Sequence, residues 1–231
     1  MHVESAKRRL YPRVFDTDWL LLREMRSAIG ALVKSVVRPG ALVIDFGCGS
    51  QPYRSLFEAN CAIYKGADFE GGELTIREGR VDAPNAEADL VVSFQVLEHV
   101  ADVGAYLREA GRLLKDDGRL ILSTHGNWFY HPHPEDHRRW TREGLLAEIT
   151  SHGFETIDCT PLLGPLAYTT LLRLTLGYHG LRKIPGVGAG LARALAILMN
   201  LRGYIENLVT PKWVTLDNAC VYVVLARPAS V

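Results

Sequence analysis

Apolar residues follow two alternating rhythms along this chain. Helical spacing runs through residues 18–37, with Asp18 placed as the cap and Arg38-Pro39-Gly40 as the breaker. Ala41-Leu42-Val43-Ile44-Asp45-Phe46 is then a short apolar run bounded by glycines, the pattern of a buried parallel strand. A helix is expected over 52–59, with Pro52 opening it. Further strands are expected over 61–68, within 74–81 and over 89–94. At 102–115 helical spacing returns, with Val103, Leu107, Ala110 and Leu114 on one face. Asp117-Gly118 turns the chain into a fifth strand at 119–123. Thr141 caps a helix that Gly153 ends, a sixth strand begins at 154–157, and 219–225 is the last. Strands alternating with helices predict an α/β fold, a doubly wound, seven-stranded, mostly parallel sheet covered on both faces.

Between strands six and seven the chain is far longer than a simple connection. Residues 165–178 and 187–209 are both rich in Leu and Ala, and Arg193, Asn200 and Asn207 recur at seven-residue intervals. That spacing predicts a narrow polar stripe and a broad apolar face. The leading expectation is a helical lid packed on the domain. A homodimer interface is one alternative. A peripheral membrane contact through 161–209 ranks last, because the helix itself carries few cations. The stretch nearest to a membrane span, 187–201, is too short and has Arg193 in its middle.

Composition narrows the picture. At 231 residues the chain reads as one domain: an N-terminal helical segment (1–40), a ligand-binding core (41–160), an apolar helical insert (161–212) and a last strand (213–231). Lysine plus arginine balances aspartate plus glutamate at 26 each, which argues against a nucleic-acid partner. Cys48, Cys61, Cys159 and Cys220 form no C-x-x-C pair and read as reduced thiols. With a charged N-terminus in place of a secretory signal, a cytoplasmic location is expected.

Candidate chemistry begins at Gly47-Cys48-Gly49, a glycine turn at the carboxyl end of the first strand, where open α/β sheets bind ligands. Glycines there let the backbone approach a ligand closely. Asp68, at the end of the second strand, is placed to accept both hydroxyls of a ribose. Pro52 stands where the third glycine of a dinucleotide fingerprint would be, and no phosphate loop is present, so a nucleoside without a pyrophosphate fits better.

Asp45-Phe46-Gly47-Cys48-Gly49, Asp68, Gln95-Val96-Leu97-Glu98-His99-Val100 and the run from Tyr106 to Leu120 together resemble a class I S-adenosylmethionine-dependent methyltransferase. The resemblance covers roughly residues 40–160. It implies a Rossmann-like fold and S-adenosyl-L-methionine as cofactor, with Asp45, Gly47, Cys48, Gly49 and Tyr53 around its methionine part. Asp68 and Phe69 would then lie at the ribose, Asp82 near the adenine, and Phe94 and Gln95 on the cofactor at the end of strand four. Glu98 and His99 read equally well as an ordinary helix start, Glu98 favouring the N-terminal dipole.

Residues 124–141 hold four of the eight histidines on the same edge of the sheet. One reading is a metal site, although H-x-H-x-x-x-H interrupted by Pro132 and Pro134 is a poor ligand spacing and no metal is expected. A second is loop histidines bonded to backbone or solvent. The third is a substrate-binding and acid/base segment. His131, Pro134, Asp136, Arg139 and Thr141 resemble a segment of a methyltransferase subgroup (type 11-like) linked to glycan and secondary-metabolite pathways, which favours the third. His131, Asp136 and His137 are the catalytic candidates. His125, Trp128 and Arg139 are the substrate-binding candidates, Arg139 either clamping an anionic acceptor or holding the loop by a salt bridge. The expected activity is O-methylation of a small molecule, sugar or glycolipid. A nicotinamide-dependent oxidoreductase and a non-catalytic cofactor-binding subunit are the alternatives.

Overall fold

The computed structural model describes residues 2–229. Helices α1 (His2–Leu10) and α2 (Trp19–Val36) precede strand β1 (Leu42–Phe46). On α2, Leu21, Met25, Ile29 and Val33 repeat every fourth residue and are buried. Asp18 does not cap this helix: its carboxylate takes two hydrogen bonds from Arg8, at 2.8 and 2.9 Å, and so ties α2 to α1. Gly40, at φ +80°, makes the turn into β1.

Next come α3 (Arg54–Glu58), β2 (Ile63–Asp68), β3 (Leu74–Arg77), β4 (Arg80–Val81) and β5 (Ala88–Phe94). The single strand expected within 74–81 is a hairpin. Glu78 and Gly79 both have positive φ, the requirement of a two-residue hairpin turn, so the chain reverses there and the sheet has eight strands where seven were expected. A single 3₁₀ turn (Leu97–His99) leads to α4 (Val103–Leu113), capped by the Asp102 carboxylate on the Ala105 N–H at 2.8 Å. The following strand, β6 (Leu114–His125), begins directly at the end of α4, earlier than Asp117-Gly118 suggests. Then follow α5 (Arg142–Ser151), capped by Thr141, β7 (Phe154–Leu162), α6 (Pro165–Leu181), α7 (Gly188–Val209), α8 (Lys212–Asp217) and β8 (Val221–Pro228).

The strand order is β4-β3-β2-β1-β5-β6-β8-β7. Strands β3, β2, β1, β5 and β6 pair in parallel, while β4, β8 and β7 are antiparallel to their neighbours. Side-chain alternation splits the core in two. Val43, Leu90, Val92 and Ile121 face α2, α3 and the α6–α7 hairpin; Ile44, Val91, Leu120 and Leu122 face α4 and α5. The chain order reverses between β1 and β5, which opens a crevice at their carboxyl ends.

The helical insert between β7 and β8 is an antiparallel hairpin of α6 and α7; of its polar stripe Arg193 stays exposed, while the two asparagines turn inward. Asn200 is buried and donates to the carbonyls of Val14 and Asp16, at 2.7 and 2.8 Å, and Asn207 accepts the Gly164 N–H. The broad apolar face is the outer one.

Candidate active site

The β1–α3 turn is shaped by glycines at φ +81° (Gly47) and +49° (Gly49). A Cβ on Gly47 would stand 2.9 Å from both methyl groups of Val96, so this turn lies directly against the chain leaving β5. Around Gly49 there is open space, the cradle a ligand requires. Its N–H donates to Asp68 Oδ2 at 2.7 Å, which joins the ends of β1 and β2. Phe69, the next residue, is exposed.

Asp45 is buried and accepts the Tyr64 hydroxyl at 2.5 Å. Burial, reinforced by Asp68 and Glu73 and only partly offset by Tyr64, pushes its carboxyl up to about 7. Burial likewise pushes the Cys48 thiol up to about 12, so Cys48 is a neutral packing group. Gln95 has φ +58°, a conformation costly for a non-glycine residue, and is held there by its N–H on the Ser123 carbonyl at 2.9 Å and its side-chain amide on Ser123 Oγ at 3.1 Å.

The histidine-rich loop folds over this edge around a buried carboxylate. Glu98 Oε2 accepts from Thr124 Oγ1 at 2.9 Å and Oε1 from His125 Nδ1 at 2.7 Å. These partners hold the Glu98 carboxyl below its usual range against a large desolvation penalty. The ring of His125 stacks on Trp128 and lies 5.0 Å, centroid to centroid, from His131. His99 lies 5.0 Å on the other side of His131, its Nδ1 on the Glu135 carbonyl at 2.6 Å. At His131, Nδ1 faces the Phe129 carbonyl at 3.0 Å and Arg139 Nη2 at 3.3 Å. Because Nη2 has closer acceptors for both its hydrogens in Phe129 and Asp136, Nδ1 is assigned as the donor to Phe129, which leaves Nε2 with its lone pair. Burial, with the neighbouring imidazoles, lowers the pKa of His131.

Asp136 and Arg139 clasp the loop. Both Asp136 oxygens accept from the guanidinium, at 2.6 and 2.7 Å, and Oδ2 also accepts the His131 N–H at 2.9 Å. The guanidinium further donates to the carbonyls of Phe129, Trp128 and Arg138, which engages all five of its N–H groups. It holds the Asp136 carboxyl far below the usual carboxylate range, so Asp136 positions His131 and does not take up a proton. Arg139 is the loop's salt bridge and has no donor left over for an anionic acceptor. His137 is turned away from the group, with Nε2 on Glu135 Oε2 at 2.9 Å.

Of the predicted site residues, Asp45, Gly47, Gly49, Asp68 and Gln95 lie at or directly after the carboxyl ends of β1, β2 and β5, and His125, Trp128 and His131 group together at and beyond the end of β6. Tyr53 and Phe94 are packed edge to face in the core, centroids 5.1 Å apart. Asp82 is exposed beyond β4. Glu98 is the residue that sequence reasoning missed: a buried carboxylate rather than a surface charge on a helix dipole. Its signal was its place directly after a strand ending at the ligand edge. Glu98, His99 and His131 each offer a ligand atom within 4.8 Å of the others. Hydrogen bonds engage both Glu98 oxygens and the Nδ1 of each ring.

A family model described as "Methyltransferase domain" matches residues 21–156, more than half of the chain. A ubiquinone biosynthesis O-methyltransferase of Azorhizobium caulinodans is 28% identical over 102 residues, which take in 37% of this chain and 40% of that protein. The chain thus matches well under two thirds of that relative's length. A protein of the same name from Parvibaculum lavamentivorans is 25% identical, over 90% of this chain and 80% of its own. Among solved structures, the 1,6-didemethyltoxoflavin-N1-methyltransferase of Burkholderia thailandensis, with bound S-adenosylhomocysteine, superposes with a TM-score of 0.57. The two share 17% identity, and the match covers 89% of this chain and 78% of that one. A match running from α2 to β7, over the glycine turn and the loop that faces it, places this chain in the methyltransferase domain family as a class I S-adenosylmethionine-dependent enzyme.

Proposed function

We propose that the protein methylates an oxygen of a small hydroxylated acceptor, a sugar or glycolipid being the leading class, and that His131 is its general base. The observation that carries this reading is the state of His131. It is only partly buried, its Nδ1 is tied to the Phe129 carbonyl, and its pKa is lowered, so at neutral pH it offers an unprotonated Nε2. When bound, S-adenosylmethionine supplies an electrophilic methyl carbon, which moves from sulfur to the acceptor oxygen and leaves S-adenosylhomocysteine. The protein holds the acceptor in line and His131 receives the hydroxyl proton as the carbon–oxygen bond forms. Asp136 and Arg139 position that ring, and His125 and Trp128 form the adjoining wall.

For the cofactor we assign the glycine turn (Gly47, Cys48 and Gly49 by backbone), the carboxylate of Asp68 at the ribose, Asp45 beside the cationic end, and Phe69 and Gln95 at the rim. Asp82 remains the candidate near the adenine. The open space at Gly49 and the Asp68 carboxylate beside it fit a nucleoside. The failed dinucleotide fingerprint and the family match leave the nicotinamide alternative without support. The similarity to ubiquinone O-methyltransferases supports oxygen as the methylated atom.

The test is S-adenosylhomocysteine release with a panel of sugars and hydroxybenzenes. His131→Asn should lower kcat by about 10²-fold or more while calorimetric affinity for S-adenosylmethionine holds. Full turnover in that variant would remove His131 from the chemistry. A wild-type chain that binds the cofactor but transfers to no acceptor would favour the non-catalytic reading.

A further inference from the structure

We infer that the outer face of the α6–α7 hairpin rests on an anionic lipid surface. Helix α7 is built inside out. Its buried side is made of Gly188, Ala192, Ala196, Asn200 and Gly203, small or hydrogen-bonded residues that allow close packing. Its outer side carries Val187, Leu191, Leu198, Leu201, Ile205 and Leu208, each between 47% and 67% exposed. Three- and four-residue steps, with Ala194 completing them, keep this row on one face along the whole helix, about 33 Å. So long an apolar stripe in water has a partner to meet.

Charge identifies the partner. Residues 161–217 contain six lysines and arginines and two acids, Glu206 and Asp217, an excess of cations in a chain that is neutral as a whole. Glu206 is spent internally, accepting from Thr170 Oγ1 at 2.5 Å and Arg202 Nε at 2.7 Å. Arg182 and Lys183 are exposed in the turn before α7, and Lys212 is exposed beyond its end. Beside Lys212, Trp213 is 75% exposed at the start of α8, the residue type that settles at the headgroup level. The cations that sequence reasoning found too few on the helix are therefore supplied at its two ends. A second copy of the chain on this face would bring together two sets of six cations with only Asp217 of each copy exposed to answer them. Among the described residues no helix is long and apolar enough to cross a membrane, so α7 would lie in the plane of the interface. The proposal does not depend on the identity of the acceptor.

The whole chain should co-sediment with phosphatidylcholine vesicles containing about a third phosphatidylglycerol, and only weakly with phosphatidylcholine alone, the difference fading with salt. Leu198→Glu/Ile205→Glu should weaken binding at least about tenfold. So should Arg182→Glu/Lys183→Glu/Lys212→Glu, which alters only exposed residues outside α6 and α7 and decides the matter if the first variant fails to fold. Absence of wild-type binding to either vesicle overturns the proposal, as does equal binding to both. Concentration-dependent self-association in the ultracentrifuge that Leu198→Glu/Ile205→Glu abolishes, without vesicle binding, would assign the face to a second copy.

Discussion

Burial and hydrogen bonding pull Asp45 in opposite directions, and burial wins, raising its carboxyl to about 7. Because the folded chain holds this proton more tightly than the unfolded one, Asp45 contributes stability at acid pH. That contribution is lost as pH rises from the ordinary carboxylate range through about 7. Asp45→Asn keeps an acceptor for Tyr64 and removes the titration. The melting temperature of the wild type should therefore fall relative to this variant between about pH 5 and 8; parallel curves would show that Asp45 is ionised throughout. Residues such as Gly47, Gly49 and Asp68 were legible in the sequence because a strand end and a glycine turn are local patterns. Glu98 was not. What makes it part of the site is Thr124 and His125, brought beside it only by the parallel pairing of β5 with β6.

Among elements, the loop of residues 126–141 shows how an irregular segment is held in one shape. Arg139 answers Asp136, whose side chain is almost wholly buried, and three backbone carbonyls besides. Arg139→Ala would leave that carboxylate buried and unpaired, at a cost of about 3 kcal/mol, on the order of 10 °C in melting temperature. Hydrogen exchange should rise in this loop first. Arg139→Lys should not restore it, since an ammonium cannot span both carboxylate oxygens and the Phe129 carbonyl. Unchanged exchange in Arg139→Ala would show that the loop is held elsewhere. Helix boundaries were legible where a cap or a breaker marks them, at Thr141 and Pro39-Gly40; Asp102, expected inside its helix, caps it instead. The orientation of α7 was not, because periodicity reveals that a helix has two faces without saying which is turned inward. Asn200 reads as surface until Val14 and Asp16 offer it carbonyls. The Glu78-Gly79 hairpin was within reach, its two positive-φ positions being filled by a residue pair that also occurs in plain loops.

Across the whole molecule, the cofactor crevice is made by segments far apart in sequence, so occupancy should stiffen the entire sheet. At about a hundred times its dissociation constant, S-adenosylmethionine should add roughly 2.7 kcal/mol to stability. The melting temperature should then rise by several degrees, while NADH should have no effect. A shift with NADH alone would contradict the cofactor assignment. The parallel half of the sheet followed from the alternation of strands and helices. The other half did not, because nothing in residues 219–228 announces that they enter between two strands already made.

That insertion has a consequence for synthesis. Strand β7 has one neighbour in the sheet, β8, and β8 follows every other element in chain order. While the polypeptide is emerging, β6 presents an open edge and β7 has nowhere to dock until Val221 and the residues after it leave the ribosome. Throughout that interval the apolar α6–α7 hairpin is complete but has no finished sheet edge beside it. The nascent chain is thus most prone to mispairing and chaperone capture in the interval between the completion of α7 and the emergence of β8.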